Sequence, residues 1–226
     1  MTATQLSIII PVLNEAQCIA CSLQALAPLR ARGVQVIVVD GGSQDDTVVQ
    51  ASPLADLVIN GPKGRARQMN AGAAQATADV LLFLHADTWL PDGADGQVIS
   101  AIRAGATWGR FDVTIEGQSP MLRVVAAFMN LRSRYGGIAT GDQAIFVRTE
   151  SFARIGGFPD QPLMEDIELS KRLKRLAAPA CLRTRVTTSG RRWETRGVWR
   201  TIVLMWGLRW RYWRGASPEQ LARAYQ

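Results

Sequence analysis

The sequence has few of the side chains that carry much of enzyme chemistry, since its 226 residues include one histidine and three cysteines. The cysteines, Cys18, Cys21 and Cys181, are too few and odd in number for a disulfide framework, which favours a reducing compartment. A catalytic triad would have to use His85, and no serine lies in a nucleophile-elbow context. A disulfide-stabilised secreted domain and a serine hydrolase are therefore both disfavoured.

The sequence also lacks long apolar runs and the glycine-rich loops that bind phosphate groups. No uninterrupted apolar stretch approaches the roughly 18–20 residues that span a bilayer. The first residues carry no basic leader or small-residue cleavage site, so we expect a cytosolic protein. Residues 11–15 follow the first predicted strand without a glycine, and no Walker A motif is present. Dinucleotide-binding and P-loop fingerprints are both absent.

Basic residues are concentrated in the last quarter of the chain. Residues 1–170 contain 12 lysines and arginines against 17 acidic residues, a net charge of −5, whereas residues 171–226 contain 14 against 2, a net charge of +12. This asymmetry indicates a nucleoside diphosphate, an anionic membrane or a nucleic acid as partner, or else a solvated basic face. No nucleic acid is expected, because no reading helix or stacking sheet accompanies the basic residues.

Alternating strand and helix patterns predict an α/β fold with a Rossmann-like, mostly parallel central sheet flanked by helices. Apolar, β-branched runs predict buried strands at 7–12, 34–39, 57–59 and 80–84. Asn14 is expected to cap a helix that follows the first strand. Beyond Pro91 the pattern changes, with strands predicted over 108–115 and 144–148 and helices over 98–104, 121–131, 167–176 and 198–213.

Acidic side chains follow several predicted strands or lie near them, namely Glu15, Asp40, Asp87, Asp142 and Asp166. Open α/β sheets bind ligands beyond the carboxyl ends of their strands. Acids gathered at one sheet edge repel one another unless a cation compensates them, so they predict an oxygen-ligated Mg²⁺ or Mn²⁺. A metal held by one or two carboxylates commonly completes its shell with substrate phosphates and water, which fits a nucleoside diphosphate.

Four motifs in this order closely resemble family 2 glycosyltransferases of the GT-A fold: Ile-Ile-Pro-Val-Leu-Asn-Glu at 9–15, Val-Val-Asp-Gly-Gly-Ser-Gln-Asp-Asp-Thr at 38–47, His-Ala-Asp at 85–87 and Glu-Asp at 165–166. The stretches 64–73 and 141–146 look like the bacterial radical-SAM/selenodomain-associated transferase 2 group. The resemblance covers residues 6 to about 225. It implies one domain, 1–226, with a nucleotide-binding half (1–92), an acceptor and catalytic half (93–185) and a basic, tryptophan-rich helical segment (186–226).

The resemblance implies an inverting transfer of a sugar from a nucleotide-sugar donor to an acceptor hydroxyl. Pro11, Glu15 and Asp40 would line the nucleoside pocket. The side chains that would reach the nucleotide or its phosphates are Arg65, Gln68 and Asn70.

Asp87 would be the metal-binding acid of the family's Asp-x-Asp signature. The sequence departs from that signature because its first acid is replaced by His85. Imidazole suits Mn²⁺ better than Mg²⁺. Three roles stay open for His85: to bind the metal, to contact the ribose, or to pack.

Asp166 would be the general base that removes the proton of the acceptor hydroxyl. Glu165 and Glu168 are expected to raise its pKa by like-charge repulsion, which suits a base working near neutral pH. Where many relatives place a histidine in the carboxyl-terminal region, this chain has none. The residues predicted to contact phosphate or acceptor are Glu165, Asp142, Ser189, Arg191 and Arg192.

The helix over 198–213 admits two interpretations. Its tryptophans and one valine share a face, at positions 199, 203, 206, 210 and 213. This face packs on the catalytic domain, or it lies peripherally on an anionic membrane, where lipid-linked or membrane-embedded acceptors would be natural. The alternative function is a non-catalytic membrane-surface binding protein that retains the GT-A fold.

Overall fold

The computed structural model describes residues 5–225, except for the side chain of Arg192. The prediction for Arg192 therefore lies outside the described part of the protein. Eight strands form one sheet: β1 (Leu6–Val12), β2 (Gln35–Asp40), β3 (Leu57–Asn60), β4 (Val80–Phe83), β5 (Thr88–Trp89), β6 (Trp108–Glu116), β7 (Phe146–Arg148) and β8 (Ala180–Ser189).

Eleven helices are described along with a short 3₁₀ turn, Gly141–Gln143. The helices of the first half are α1 (Ile19–Ala25), α2 (Ala27–Ala31), α3 (Thr47–Ala51), α4 (Arg65–Gln75) and α5 (Ala94–Arg103). Those of the second half are α6 (Met121–Gly136), α7 (Thr149–Arg154), α8 (Glu165–Lys174), α9 (Arg191–Arg196), α10 (Val198–Trp213) and α11 (Pro218–Tyr225).

The sheet has the strand order β3-β2-β1-β4-β7-β6-β8-β5. Strands β1 to β4 pair in parallel, so their carboxyl ends meet at one edge. Strand β7 pairs antiparallel with both β4 and β6, and joins the second half of the chain to the first. The α/β fold and the parallel first half are confirmed.

Both faces of the sheet are covered, which explains why its central strands read as continuous apolar runs. Alternate residues of β1 enter opposite cores: Ile8 and Ile10 pack with α1, α5 and α6, whereas Ile9 packs with α4, α7 and α8. Burial of this apolar area dominates the stability of the fold. A third, smaller cluster joins the start of α8 to α10 and α11.

One local prediction requires correction. Asn14 does not cap a helix, because its backbone is left-handed (φ 55°) and α1 begins only at Ile19. The side-chain oxygen of Asn14 instead accepts a hydrogen bond from the backbone of Gln44. The helix predicted over 198–213 has those bounds, but the last helix, α11, was not predicted. None of the described helices is long and apolar enough to cross a bilayer.

Candidate active site

The carboxyl ends of β1 and β2 are joined by hydrogen bonds between the loops that follow them. The backbone N–H of Asn14 donates to Ser43 Oγ at 2.8 Å, and that of Glu15 donates to Thr47 Oγ1 at 2.8 Å. Asp40 is buried at the end of β2, and its carboxylate accepts the N–H groups of Gly42 and Ser43, each at 2.9 Å. These hydrogen bonds therefore fix the two loops relative to each other at the carboxyl edge of the sheet.

Two of the predicted nucleotide-binding residues make bracing contacts. Gln68 is buried, and its amide nitrogen donates to the carbonyls of Val12 and Val39 at 2.7 and 2.8 Å, joining β1 to β2. Asn70 donates to the carbonyl of Phe158 and accepts its N–H, both at 2.9 Å. Their predicted contacts with a nucleotide stay predictions. Pro11 lies one residue before the end of β1, opposite Val39.

Glu15 and Arg191 bring the first and last parts of the chain together. Arg191 Nη2 lies 3.7 Å from Glu15 Oε2, and the Cys18 thiol donates to the same oxygen at 3.2 Å. Burial, and then the Glu15 hydrogen bond, raises the pKa of Cys18 to about 12. A thiol that stays protonated is a poor nucleophile, and all three cysteines are unpaired. Cys18 is therefore a neutral thiol hydrogen-bonded to Glu15.

Asp87 lies directly before β5, which pairs antiparallel with β8. Its backbone carbonyl accepts the N–H of Ser189 at 3.0 Å, and Thr88 pairs with Thr188. Ser189 Oγ accepts the N–H of Arg191 at 3.2 Å. The carboxylate of Asp87 is half-buried and has no hydrogen bond to any side chain that the structure describes. It is therefore open to a ligand.

The second half contributes two adjacent acids at the start of α8, of which Glu165 is buried and Asp166 is half-buried. Glu165 is 4% exposed, and Arg65 Nη1 at the start of α4 lies 3.6 Å from its carboxylate. Asp166 accepts the N–H of Gly141 at 3.1 Å and that of Ile167 at 2.7 Å. Burial raises the pKa of Asp166, although these two hydrogen bonds oppose the rise. An oriented carboxylate with a raised pKa has the properties of a general base.

The buried acids predict a pH-dependent stability. Burial, and then the charge of Asp166, raises the pKa of Glu165, so the folded protein binds this proton more tightly than the unfolded chain does. The contribution of Glu165 to the free energy of unfolding is full below the pKa of an ordinary carboxyl group. This contribution falls as the pH rises from that value to the raised pKa of the folded state. We expect Glu165→Gln to lose less stability between pH 4 and pH 8 than the wild type in urea titrations. Glu150→Gln, an exposed acid in the first turn of α7, should follow the wild type.

His85 packs against a glycine and contacts an acid. Its Nδ1 lies 3.2 Å from Asp142 Oδ1. Its Nε2 is buried without a hydrogen-bond partner among the described residues. A Cβ built on Gly141 would lie 2.3 Å from that Nε2. Gly141 therefore leaves room for the imidazole and donates its N–H to Asp166.

Backbone strain is concentrated around the site. In the described range 5–225, the non-glycine residues with positive φ are Asn14, Ala144 and Met164. Asn14 precedes Glu15, Ala144 follows the turn that holds Asp142, and Met164 precedes Glu165. Such conformations cost of order 1–3 kcal/mol each and persist where the surroundings impose them. This clustering is independent support for the location of the site.

Arg132 on α6 belongs to the site but was not predicted from the sequence. Its Nη2 atom is buried without a hydrogen-bond partner among the described residues, and its Nε donates to the carbonyl of Ile138 at 3.4 Å. Burial lowers the pKa of Arg132, while the charges of Asp166 and Asp142 oppose this effect. No feature of the sequence distinguishes it from the other arginines of α6, because only the fold brings it to the acids.

The residues present can hold a metal only together with a ligand. Across the described side chains, no three histidines, cysteines or acids gather into a group that could enclose an ion. Asp87 offers one open carboxylate, and the imidazole of His85 is directed at Asp142 and Gly141. This donor set fits a hard cation that keeps waters and takes other oxygens from substrate phosphates.

The model of one family, described as glycosyl transferase family 2, matches residues 7–155. The succinoglycan biosynthesis protein ExoA of Rhizobium meliloti is 29% identical over 194 residues, which cover 76% of this chain and 59% of that protein. The chain thus spans less than two thirds of this relative's length.

Two solved structures are similar in fold. The mannosyltransferase PcManGT of Pyrobaculum calidifontis, in complex with GDP-Man and Mn²⁺, has a TM-score of 0.68 at 20% identity, with 100% of this chain and 70% of that one covered. TarS of S. aureus, residues 1–349 in complex with UDP-GlcNAc, has a TM-score of 0.66 at 18% identity, with 82% and 58% covered. These similarities confirm the GT-A fold.

Proposed function

Because the chain belongs to glycosyl transferase family 2, and is accordingly a glycosyltransferase, we propose that it transfers the sugar of a nucleotide-diphosphate donor to an acceptor hydroxyl with inversion. The observation that carries this proposal is the position of Asp166. It lies at the start of α8, oriented by two backbone N–H groups, and burial raises its pKa. The narrower resemblance to the radical-SAM-associated group stays a prediction.

In this proposal the donor lies at the carboxyl ends of β1, β2 and β4. Pro11, Glu15 and Asp40 line the nucleoside side, while Arg65 and Arg191 lie beside acids at its margin and supply positive charge for the phosphates. Gln68 and Asn70 support the donor indirectly, since their amides brace the backbone around it. In this proposal residues 1–92 bind the nucleotide, residues 93–185 supply the acceptor site and the base, and residues 186–226 close the site with Ser189 and Arg191.

Asp87 is the residue that would hold a divalent cation, Mn²⁺ or Mg²⁺, together with the donor phosphates. Such a cation neutralises the negative charge that develops on the leaving diphosphate. His85 contacts Asp142 and fills the space beside Gly141, so its role in this proposal is to position the turn that orients Asp166.

The reaction follows from the placement of Asp166. Its carboxylate takes the proton of the acceptor hydroxyl while the hydroxyl oxygen forms a bond to the anomeric carbon. The bond between that carbon and the diphosphate oxygen breaks on the opposite face, and its electron pair leaves with the diphosphate. Arg65 and Arg132 flank the acids and limit the charge that accumulates there. One displacement of this kind inverts the configuration at the anomeric carbon.

We place this activity in the cytoplasm, on or near the membrane face. The three unpaired cysteines are typical of a reducing compartment. The acceptor class is a lipid-linked or membrane-associated hydroxyl. A non-catalytic membrane-surface protein is the alternative, and the exposed tryptophans of α10 favour it as much as they favour a membrane-bound enzyme.

Nucleotide binding tests the proposal directly. We expect the wild type to bind UDP or GDP in titration calorimetry, with higher affinity when Mn²⁺ is present. Asp87→Asn should remove most of the Mn²⁺ effect, whereas Asp92→Asn, an exposed acid after β5, should retain it. Failure to bind any nucleoside diphosphate, with or without metal, would contradict the proposed function.

A further inference from the structure

Helix α10 exposes its largest side chains instead of burying them. Trp199, Val203, Trp206, Trp210 and Trp213 are 58–78% exposed. At 3.6 residues per turn these positions fall within an arc of about 80°. Its buried residues, Thr201 and Leu208, lie on the opposite side, and Leu208 packs with residues of α8 and α11. Packing on the catalytic domain therefore accounts for the other face of α10 and leaves the tryptophan face uncovered.

Helix α6, like α10, exposes one apolar face and buries the opposite one. Its exposed residues with large apolar side chains are Val124, Phe128, Leu131 and Tyr135, from 44% to 83% exposed, and they repeat the spacing 4, 3, 4 found on α10. The buried side of α6 is again opposite, and packs on the sheet through Leu122, Ala126 and Met129. Helices α6 and α10 are in contact with each other. Two neighbouring helices thus each carry an apolar face without an intramolecular partner in the described range.

Both helices lack acidic residues, and α10 carries arginines beside its apolar face. Neither α6 nor α10 contains Asp or Glu. Arg200 and Arg211 of α10, and Arg214 directly after it, follow the tryptophan face along one side. The guanidinium of Arg214 lies 5.1 Å from the centre of the Trp210 ring. Long basic side chains beside an aromatic face are typical of helices that lie in the headgroup region of a membrane.

We propose that the exposed faces of α6 and α10 together form a docking surface for an anionic lipid bilayer. The inference deepens the proposed function, on which its biological role rests, by naming the partner that presents the acceptor. Docking through α10 would bring α8 to the membrane, because the Tyr212 hydroxyl lies 3.5 Å from Glu168 Oε2 and Lys171 lies over the Tyr212 ring. Helix α8, whose first turn contains Asp166, would then be held close to lipid-linked acceptors.

Charge favours a bilayer over a second copy of the chain. In a two-fold dimer the same surface meets itself, so the arginines of α10 would face one another without an acid on either helix to pair with them. Anionic headgroups instead supply the opposite charge and attract basic residues near the surface. Tryptophan is also enriched at membrane interfaces, where its ring is apolar and its N–H remains hydrated.

Vesicle binding tests the docking surface. The wild type should co-sediment with phosphatidylcholine vesicles that contain phosphatidylglycerol, less with phosphatidylcholine alone, and less at high salt. Brominated lipid should quench its tryptophan fluorescence. Trp206→Ser with Trp210→Ser, and separately Phe128→Ser with Leu131→Ser, should each lower partition at least about tenfold, the change that 1.4 kcal/mol produces.

The matched control is Val49→Ser, because Val49 on α3 is 72% exposed but lies outside this surface. Arg211→Glu should weaken binding to anionic vesicles, whereas Arg154→Glu at the end of α7 should not. Absence of vesicle binding would overturn the inference, as would equal behaviour of the α6 and α10 variants and the control, or a wild-type dimer that these variants dissociate. Vesicle binding by a chain that binds no nucleoside diphosphate would support the docking surface and contradict the glycosyltransferase proposal.

Discussion

Replacement of Asp166 by asparagine is expected to abolish sugar transfer and to retain nucleotide binding. A positioned general base contributes roughly 10²–10⁴-fold to rate, and an amide cannot accept the acceptor proton. The hydrogen bonds that Asp166 accepts in the described structure come from Gly141 and Ile167, neither of which belongs to the loops after β1 and β2 that are proposed to hold the nucleoside. The measurement is nucleoside diphosphate release from UDP- and GDP-sugars with a total lipid extract as acceptor source, beside calorimetry with the same nucleotides.

A control variant distinguishes the loss of a general base from the loss of a negative charge in the first turn of a helix. Asp166 and Glu150 both lie in the first turn of a helix, where a negative charge is stabilising. Glu150→Gln should retain full activity. Because asparagine can keep only one of the two hydrogen bonds from backbone N–H groups as an acceptor, the melting temperature of Asp166→Asn must be measured as well. Transfer that persists in Asp166→Asn, or parallel loss of nucleotide binding without unfolding, would refute the assignment.

Replacement of Gly141 by alanine is expected to have the second largest effect. The added methyl group would lie 2.3 Å from His85 Nε2, far inside van der Waals contact, and the imidazole is held on its other side by Asp142. Overpacking of this kind costs about 1–3 kcal/mol. The turn that donates the Gly141 N–H to Asp166 would have to move, so activity should fall more than stability alone explains.

The double variant His85→Ala, Gly141→Ala identifies the cause. If the clash is with the imidazole, alanine at position 141 should cost little stability once His85 is removed, as a double-mutant cycle in thermal unfolding would show. Gly96→Ala is the control, since no atom lies within 4 Å of its added Cβ on α5. An equal loss of stability from Gly141→Ala with and without His85 would count against the packing described here.

The strands of the first half could be predicted because their signals are local. Apolar, β-branched runs read as buried strands, and β1, β2, β3 and β4 occur close to the predicted positions. The beginning of α1 could not be predicted, because the backbone around Asn14 is set by bonds to Ser43 and Gln44, about thirty residues away. Where a long-range contact decides the conformation, local propensity is overruled.

The candidate site likewise combines features that can be predicted from the sequence with features that only the fold creates. Acids at strand ends could be identified from the sequence because parallel strands bring their carboxyl ends to one edge. The positioning roles of Gly141, His85 and Gln68 could not, since each depends on a partner 25 to 57 residues away: Gly141 with Asp166, His85 with Asp142, and Gln68 with Val12 and Val39. Arg132 was missed for the same reason.

By itself the sequence determined where the strands of the first half and helix α10 form, in what order the family's motifs occur, and that the tryptophans of α10 share one face. These properties depend on residue type and on spacing along the chain. Only the tertiary structure decided which face of α10 is covered, because Leu204, Met205 and Leu208 make its other side apolar too. Burial of one apolar side against α8 and α11 leaves the tryptophans exposed, and periodicity cannot choose between two apolar faces of one helix.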